Sequence, residues 1–135
     1  MSIIKIENKE QFANLIMNNQ GYSFVDFSAS WCGPCKRIYP KLEEYSKSYP
    51  LITFLYVDID LNKELSDIYK ISSVPTFLVF RPNYFLSVFE PIQGANVSKI
   101  ETLLDIIYQN IITNQNNDNI INYNDSNDSN GYGYI

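Results

Sequence analysis

The sequence predicts an α/β domain: a mixed central sheet of about five strands with helices on both faces. Three observations carry this. Short apolar runs alternate with segments of helical apolar spacing in the order β-α-β-α-β-α-β-β-α. Two of the inner runs, Tyr22 to Phe27 and Leu51 to Val57, are apolar on both faces, as strands covered on two sides must be. Near the end, two runs follow one another across a turn, which supplies an antiparallel pair.

The elements follow in order. Ile3 to Ile6 is a short strand candidate. Asn8 can cap the first helix, with Gln11 placed to complete a capping box, and Phe12, Leu15 and Ile16 form its apolar stripe. Tyr22 to Phe27 is the next strand. An amphipathic helix then runs through Ile38 to Tyr49, where Pro40 removes an N–H and predicts a kink. After the strand Leu51 to Val57, a short helix is marked by Leu61, Leu65, Ile68 and Tyr69. Thr76 to Phe80 and Phe85 to Phe89 are strands around a turn at Pro82-Asn83, where asparagine tolerates positive φ. Val97, Ile100, Leu103, Leu104, Ile107 and Ile111 recur at helical spacing behind Asn96, a capping residue.

The chain has 135 residues, of which 1–112 suffice for one domain with a sizeable core. From Thr113 the composition turns to asparagine with Asp, Ser, Gly and Tyr, and no apolar period survives. Such a segment buries too little surface to offset its ordering entropy, so 113–135 is expected to be a disordered low-complexity tail. A rival reading makes it a docking or localising segment anchored by Tyr123, Tyr132 and Tyr134. The net charge of −5, without any basic run, argues against nucleic acid as a partner. No run approaches membrane-spanning length, and the N-terminus lacks a signal-peptide apolar stretch. A soluble cytoplasmic protein is expected, where reduced thiols are the rule.

Both cysteines of the chain lie in Trp31-Cys32-Gly33-Pro34-Cys35-Lys36, between a strand and a helix. Two thiols so spaced can close and reopen a disulfide, and no third cysteine competes. A structural zinc site would need four ligands, but the chain has no histidine and no further cysteine, so no metal is expected. A purely structural role is also disfavoured, because so short a loop gains only about 2 kcal/mol from closure. Asp26 is flanked by Phe24, Val25 and Phe27 in a doubly apolar strand, which should raise its pKa.

The stretch Val25 to Lys36 resembles the active-site signature of the thioredoxins. The likeness continues at Pro40, Val57-Asp58-Ile59-Asp60, Val74-Pro75-Thr76 and Gly94-Ala95, covering roughly 1–112. It implies the thioredoxin fold and a protein-disulfide reductase, with Cys32 attacking the target disulfide and Cys35 resolving the mixed disulfide. It implies that Asp26 exchanges a proton with Cys35 through water. Trp31, Gly33, Pro34, Ile59, Gly94 and Ala95 match the family's apolar docking surface. Val74-Pro75 matches its cis-proline loop, whose backbone pairs with an extended substrate segment. Gly33-Pro34 resembles the reducing members. Disulfide isomerases carry a histidine there, and glutaredoxins carry Pro-Tyr.

The resemblance also implies no bound cofactor: electrons come from NADPH through a separate thioredoxin reductase and pass to targets such as peroxiredoxins. A monomer is expected. Cys32 would open a helix, and the exposed N–H groups there favour its thiolate. Lowering a thiol pKa from about 8.5 to about 7 raises the thiolate fraction about 15-fold, and the loss of nucleophilicity takes back about fivefold. A net gain of about threefold leaves positioning and the second thiol to supply most of the rate. Two departures stand out: Tyr56 occupies the place of a lysine common in bacterial members, and Ser28 that of a second tryptophan. The alternative function is a thioredoxin-fold interaction module whose partner surface or tail matters more than turnover.

Overall fold

The computed structural model describes residues 2–123. The elements are β1 (Ile4–Lys5), α1 (Lys9–Asn18), β2 (Ser23–Ser28), α2 (Gly33–Ser48), β3 (Thr53–Asp58), α3 (Lys63–Ile68), β4 (Thr76–Phe80), β5 (Val88–Gln93) and α4 (Val97–Tyr123). The five strands form one sheet in the order β1-β3-β2-β4-β5. β1 and β2 run parallel to β3, while β4 is antiparallel to β2 and β5 to β4. The α/β class and element order are those expected from the apolar pattern.

Strand periodicity divides the core into two layers. Phe24, Phe54, Phe77, Val79 and Ile92 face one side, where Ile38, Leu42 and Tyr45 of α2 and Ile100, Leu104 and Ile107 of α4 cover them. Val25, Phe27, Leu55, Val57, Leu78 and Phe80 face the other, under Phe12 and Ile16 of α1 and Leu65 of α3. All six residues of β2 are buried, so the middle strand reads as continuously apolar except at Ser23, Asp26 and Ser28.

Local details differ from expectation in three places. Asn8 Oδ1 accepts the Gln11 N–H at 2.8 Å, but the Gln11 side chain accepts from Glu7 N–H rather than from Asn8. Pro40 lies inside α2, within the helix where the sequence places it. The second hairpin strand is Val88–Gln93, not Phe85 to Phe89. The Tyr69 hydroxyl donates to the Phe85 carbonyl and the Asn83 N–H to the Ile16 carbonyl, so the turn and the start of this run are tied to α1 and the α3 end, and pairing with β4 begins only at Val88. Asn83 does take positive φ, 54°.

The third difference is in α4. Its helix passes Ile112, where the sequence places the domain boundary, and continues to Tyr123. Extending a helix that is already nucleated needs one more bond per residue, which removes the nucleation cost a separate helix would face. Ile111 still packs on the core, whereas residues 113–117 are exposed. The rest of the predicted tail, 124–135, lies outside the described residues.

Candidate active site

Four loops meet at one end of the sheet. Register explains why: Phe27 pairs with Val57 and with Thr76, and Thr76 with Gln93, so the segments after β2, β3 and β5 and the one before β4 emerge side by side. They carry, in turn, Cys32, Ile59, Gly94-Ala95 and Val74-Pro75.

Cys32 and Cys35 form a disulfide with Cα atoms 5.3 Å apart. Cys32 is the N-cap of α2, in extended backbone, and its Sγ accepts the Cys35 N–H at 3.2 Å. Gly33 and Pro34 occupy the first turn, where a missing N–H costs nothing. The same N–H and the positive helix end are therefore in place to favour a thiolate at Cys32 once the pair is reduced. Ala29, Cys32 and Cys35 form a small buried cluster, with Ile59 and Val74 packed against it. Cys32 Sγ lies 3.7 Å from the Val74 carbonyl oxygen. The Val74–Pro75 bond is cis, and the Pro75 carbonyl accepts the Gly94 N–H at 2.8 Å, which ties two of the loops together. Gly94 has φ 92°, a conformation that favours glycine. Ala95 is half-buried against the α2–α4 layer.

Trp31 is 66% exposed beside Cys32, and Gly33 and Pro34 are also exposed. Its indole Nε1–H donates to Asp60 Oδ2 at 2.9 Å. Asp60 had no role assigned from sequence; a lone exposed tryptophan with a free indole N–H, followed later by an Asp-x-Asp, was the available signal. Asp58 Oδ1 in turn accepts the N–H groups of Asp60 and Leu61, which fixes that loop.

Asp26 sits on β2 under α2, 2% exposed, with neither carboxylate oxygen hydrogen-bonded among the described residues. Burial raises its carboxyl to about 7. Its register partners are Tyr56 on β3 and Phe77 on β4, so no lysine of a neighbouring strand stands directly beside it. Among the described residues no cluster of His, Cys, Asp and Glu could hold a metal ion. No described helix is long and apolar enough to cross a membrane.

The geometry can be set beside known proteins. The family profile described as Thioredoxin matches residues 3–109. Thioredoxin 1 of Plasmodium falciparum is 38% identical over 100 residues, covering 74% of this chain and 92% of that one. Thioredoxin-2 of Pyricularia oryzae is 32% identical over 104 residues, 77% of this chain but only 58% of the relative's length. A solved chain from a study of the thiol resolving mechanism in yeast mitochondrial 1-Cys peroxiredoxin via glutathione/thioredoxin systems superposes with TM-score 0.69 at 31% identity. That match covers 77% of this chain and 94% of the other. A shared profile over most of the chain, a shared fold and a Cys-x-x-Cys disulfide capping α2 agree: the chain belongs to the thioredoxin family.

Proposed function

We propose that the chain reduces protein disulfides in the cytoplasm, as a monomer, taking electrons from NADPH through a separate thioredoxin reductase. The observation that carries this is the Cys32–Cys35 disulfide at the N-terminus of α2, one sulfur accepting the N–H that would stabilise its thiolate.

In the reduced protein Cys32 thiolate attacks one sulfur of a target disulfide and expels the other as a thiolate. Cys35 then attacks Cys32 Sγ in the mixed disulfide. The target leaves as a dithiol, two electrons richer, and the Cys32–Cys35 disulfide is restored. Cys35 must lose a proton in that step. Asp26, ionised about half the time near its pKa of about 7, is a base of suitable strength on the strand beneath α2. Trp31, Gly33, Pro34, Ile59, Gly94 and Ala95 form the surface against which the target rests, and the Val74–Pro75 backbone pairs with its extended segment. Peroxiredoxins are one target class, in keeping with the subject of the solved homologous chain.

The test is reduction of insulin by NADPH, thioredoxin reductase and this chain. Turnover is expected for the wild type, and none for Cys32→Ser. Cys35→Ser should trap mixed disulfides. Undiminished turnover by Cys32→Ser would refute the assignment.

A further inference from the structure

Behind the disulfide lies a pocket of about 360 Å³, and Cys35, Tyr39, Tyr56, Ser28 and Lys5 are among its walls. Asp26 is not in that wall, although it is the register neighbour of Tyr56, which in turn is the register neighbour of Lys5. Tyr39 stands one helical turn after Cys35 on α2. Its ring meets the Tyr56 ring edge-on, with centroids 5.5 Å apart at 85°. The Lys5 ammonium rests over both rings, 5.8 and 5.9 Å from their centroids. An aromatic pair therefore lines a pocket that is open to solvent, and one of its members is the register neighbour of the buried carboxylate.

We propose that the Tyr39–Tyr56 pair is the water gate of Asp26, two positioning residues whose rings hold bulk solvent in the pocket and away from the carboxylate, apart from the water that relays its proton to Cys35. The proposal rests on the reading that Asp26 serves the Cys35 step. It explains how this chain keeps Asp26 dry with Tyr56 in place of a lysine.

The groups around Asp26 decide between shielding and charge. Tyr56 on β3 and uncharged Phe77 on β4 are its register neighbours, and Lys5 on β1 stands one strand further out beside Tyr56. From α2 comes Tyr39, while the disulfide-bonded Cys35 lines the same pocket as the rings. Glu43, further along α2, and Asp26 both act on the Tyr39 hydroxyl, which burial and these charges push upward. Lys36 lines the pocket. Lys5 is exposed, so its field is screened by solvent, and burial is the one cause of the Asp26 shift. The rings therefore matter more than the ammonium.

The experiment follows the Asp26 carboxyl carbon by NMR against pH in the oxidised full chain, where neither cysteine titrates. Tyr39→Ala and Tyr56→Ala should each lower the midpoint by about one pH unit or more, because water then reaches the carboxylate. Tyr39→Phe keeps the ring and should leave it within about 0.3 unit, as should Lys5→Met. An unmoved midpoint in the alanine variants would overturn the gate. So would an equal fall in Tyr39→Phe, which would assign the effect to the hydroxyl, or a rise of about a unit in Lys5→Met, which would assign it to charge. Should an alanine variant not fold, Tyr39→Leu, which opens less space, is expected to give a smaller fall in the same direction; no fall again refutes the gate. The reduction rate of Asp26→Asn tests the role of Asp26 separately. A moved midpoint in Tyr39→Ala with an unchanged Asp26→Asn rate would leave the gate standing and remove the proton-transfer reading.

Discussion

Trp31 and Asp60 are joined across the site by an indole N–H to carboxylate hydrogen bond of 2.9 Å. The contact links the residue before Cys32 to the loop after β3, and Asp58 braces that loop through two further N–H groups. An exposed aromatic ring is thereby held at one orientation beside the reactive sulfur, which lowers the entropy a docking target must remove.

Asp60→Ala should free the ring. A hydrogen bond of this kind contributes about 1 kcal/mol, so KM for a protein disulfide should rise up to about fivefold. Reduction of a small aromatic disulfide, which touches little of the docking surface, should barely change. Trp31 fluorescence anisotropy provides an independent check: it should fall in the variant, and an unchanged value would contradict the orienting role.

Asp26→Asn should stabilise the fold in a pH-dependent way. The buried carboxyl titrates at about 7, against an ordinary value of 3.8. Between those values the unfolded chain releases a proton that the folded chain keeps, so wild-type stability falls as pH rises through the window and levels off above it. Asparagine escapes that cost. Its gain should reach at most about 4 kcal/mol above about pH 7 and vanish below about pH 4, measured by urea unfolding. A gain constant with pH would contradict the burial account. Slowed target reduction near neutrality should accompany it.

Two tyrosines clamp α2 to α4. The Tyr45 hydroxyl donates to Glu101 at 2.6 Å and the Tyr49 hydroxyl to Asp105, while the Tyr49 ring packs on Tyr108. The Asp105 bond is the first cause that pushes the Tyr49 hydroxyl up to about 12, followed by burial. The stability this pair contributes is complete below the unfolded tyrosine pKa of about 10 and is lost as pH climbs to about 12. Tyr49→Phe should lower stability by about 1 kcal/mol at neutral pH and flatten the alkaline loss between those values. Unfolding curves that still steepen equally in the variant would refute the clamp.

A chain ending at Ile112 should fold and exchange disulfides like the full chain. Among the residues whose burial is described, Ile111 is the last packed on the core, and 113–117 are exposed on α4. Removing the rest should change stability by no more than about 0.5 kcal/mol. Unfolding on truncation would show that the far end of α4 supports the domain.

Much of this was legible in the sequence because it rests on local periodicity. The doubly apolar β2 and β3, the Asn8 and Asn96 caps and the stripe Ile100, Leu104, Ile107 of α4 appear as the pattern requires. The cysteine pair and Asp26 were legible through spacing and flanking residues. What escaped depends on contacts between distant segments. Leu61 and Ile68 look like a buried stripe but are exposed, since only Leu65 of α3 reaches the core. Phe85 to Phe89 looks like a strand, yet Tyr69 and Ile16 hold the turn open. The Trp31–Asp60 and Tyr39–Tyr56 pairs span 29 and 17 residues, beyond any local period.

Everything proposed for the site requires that Cys32 and Cys35 form a reducing couple. The direct measurement is their reduction potential, read from Trp31 fluorescence across dithiothreitol buffers of graded redox ratio. Trp31 adjoins Cys32 and is the chain's sole tryptophan, so no partner protein is needed. A reducing couple shows one reversible two-electron transition near about −270 mV, below the extraction-based cytosolic glutathione poise of about −220 to −260 mV. A potential near about −180 mV or higher would make the couple an oxidant or isomerase, and the absence of any reversible transition would contradict the redox assignment itself.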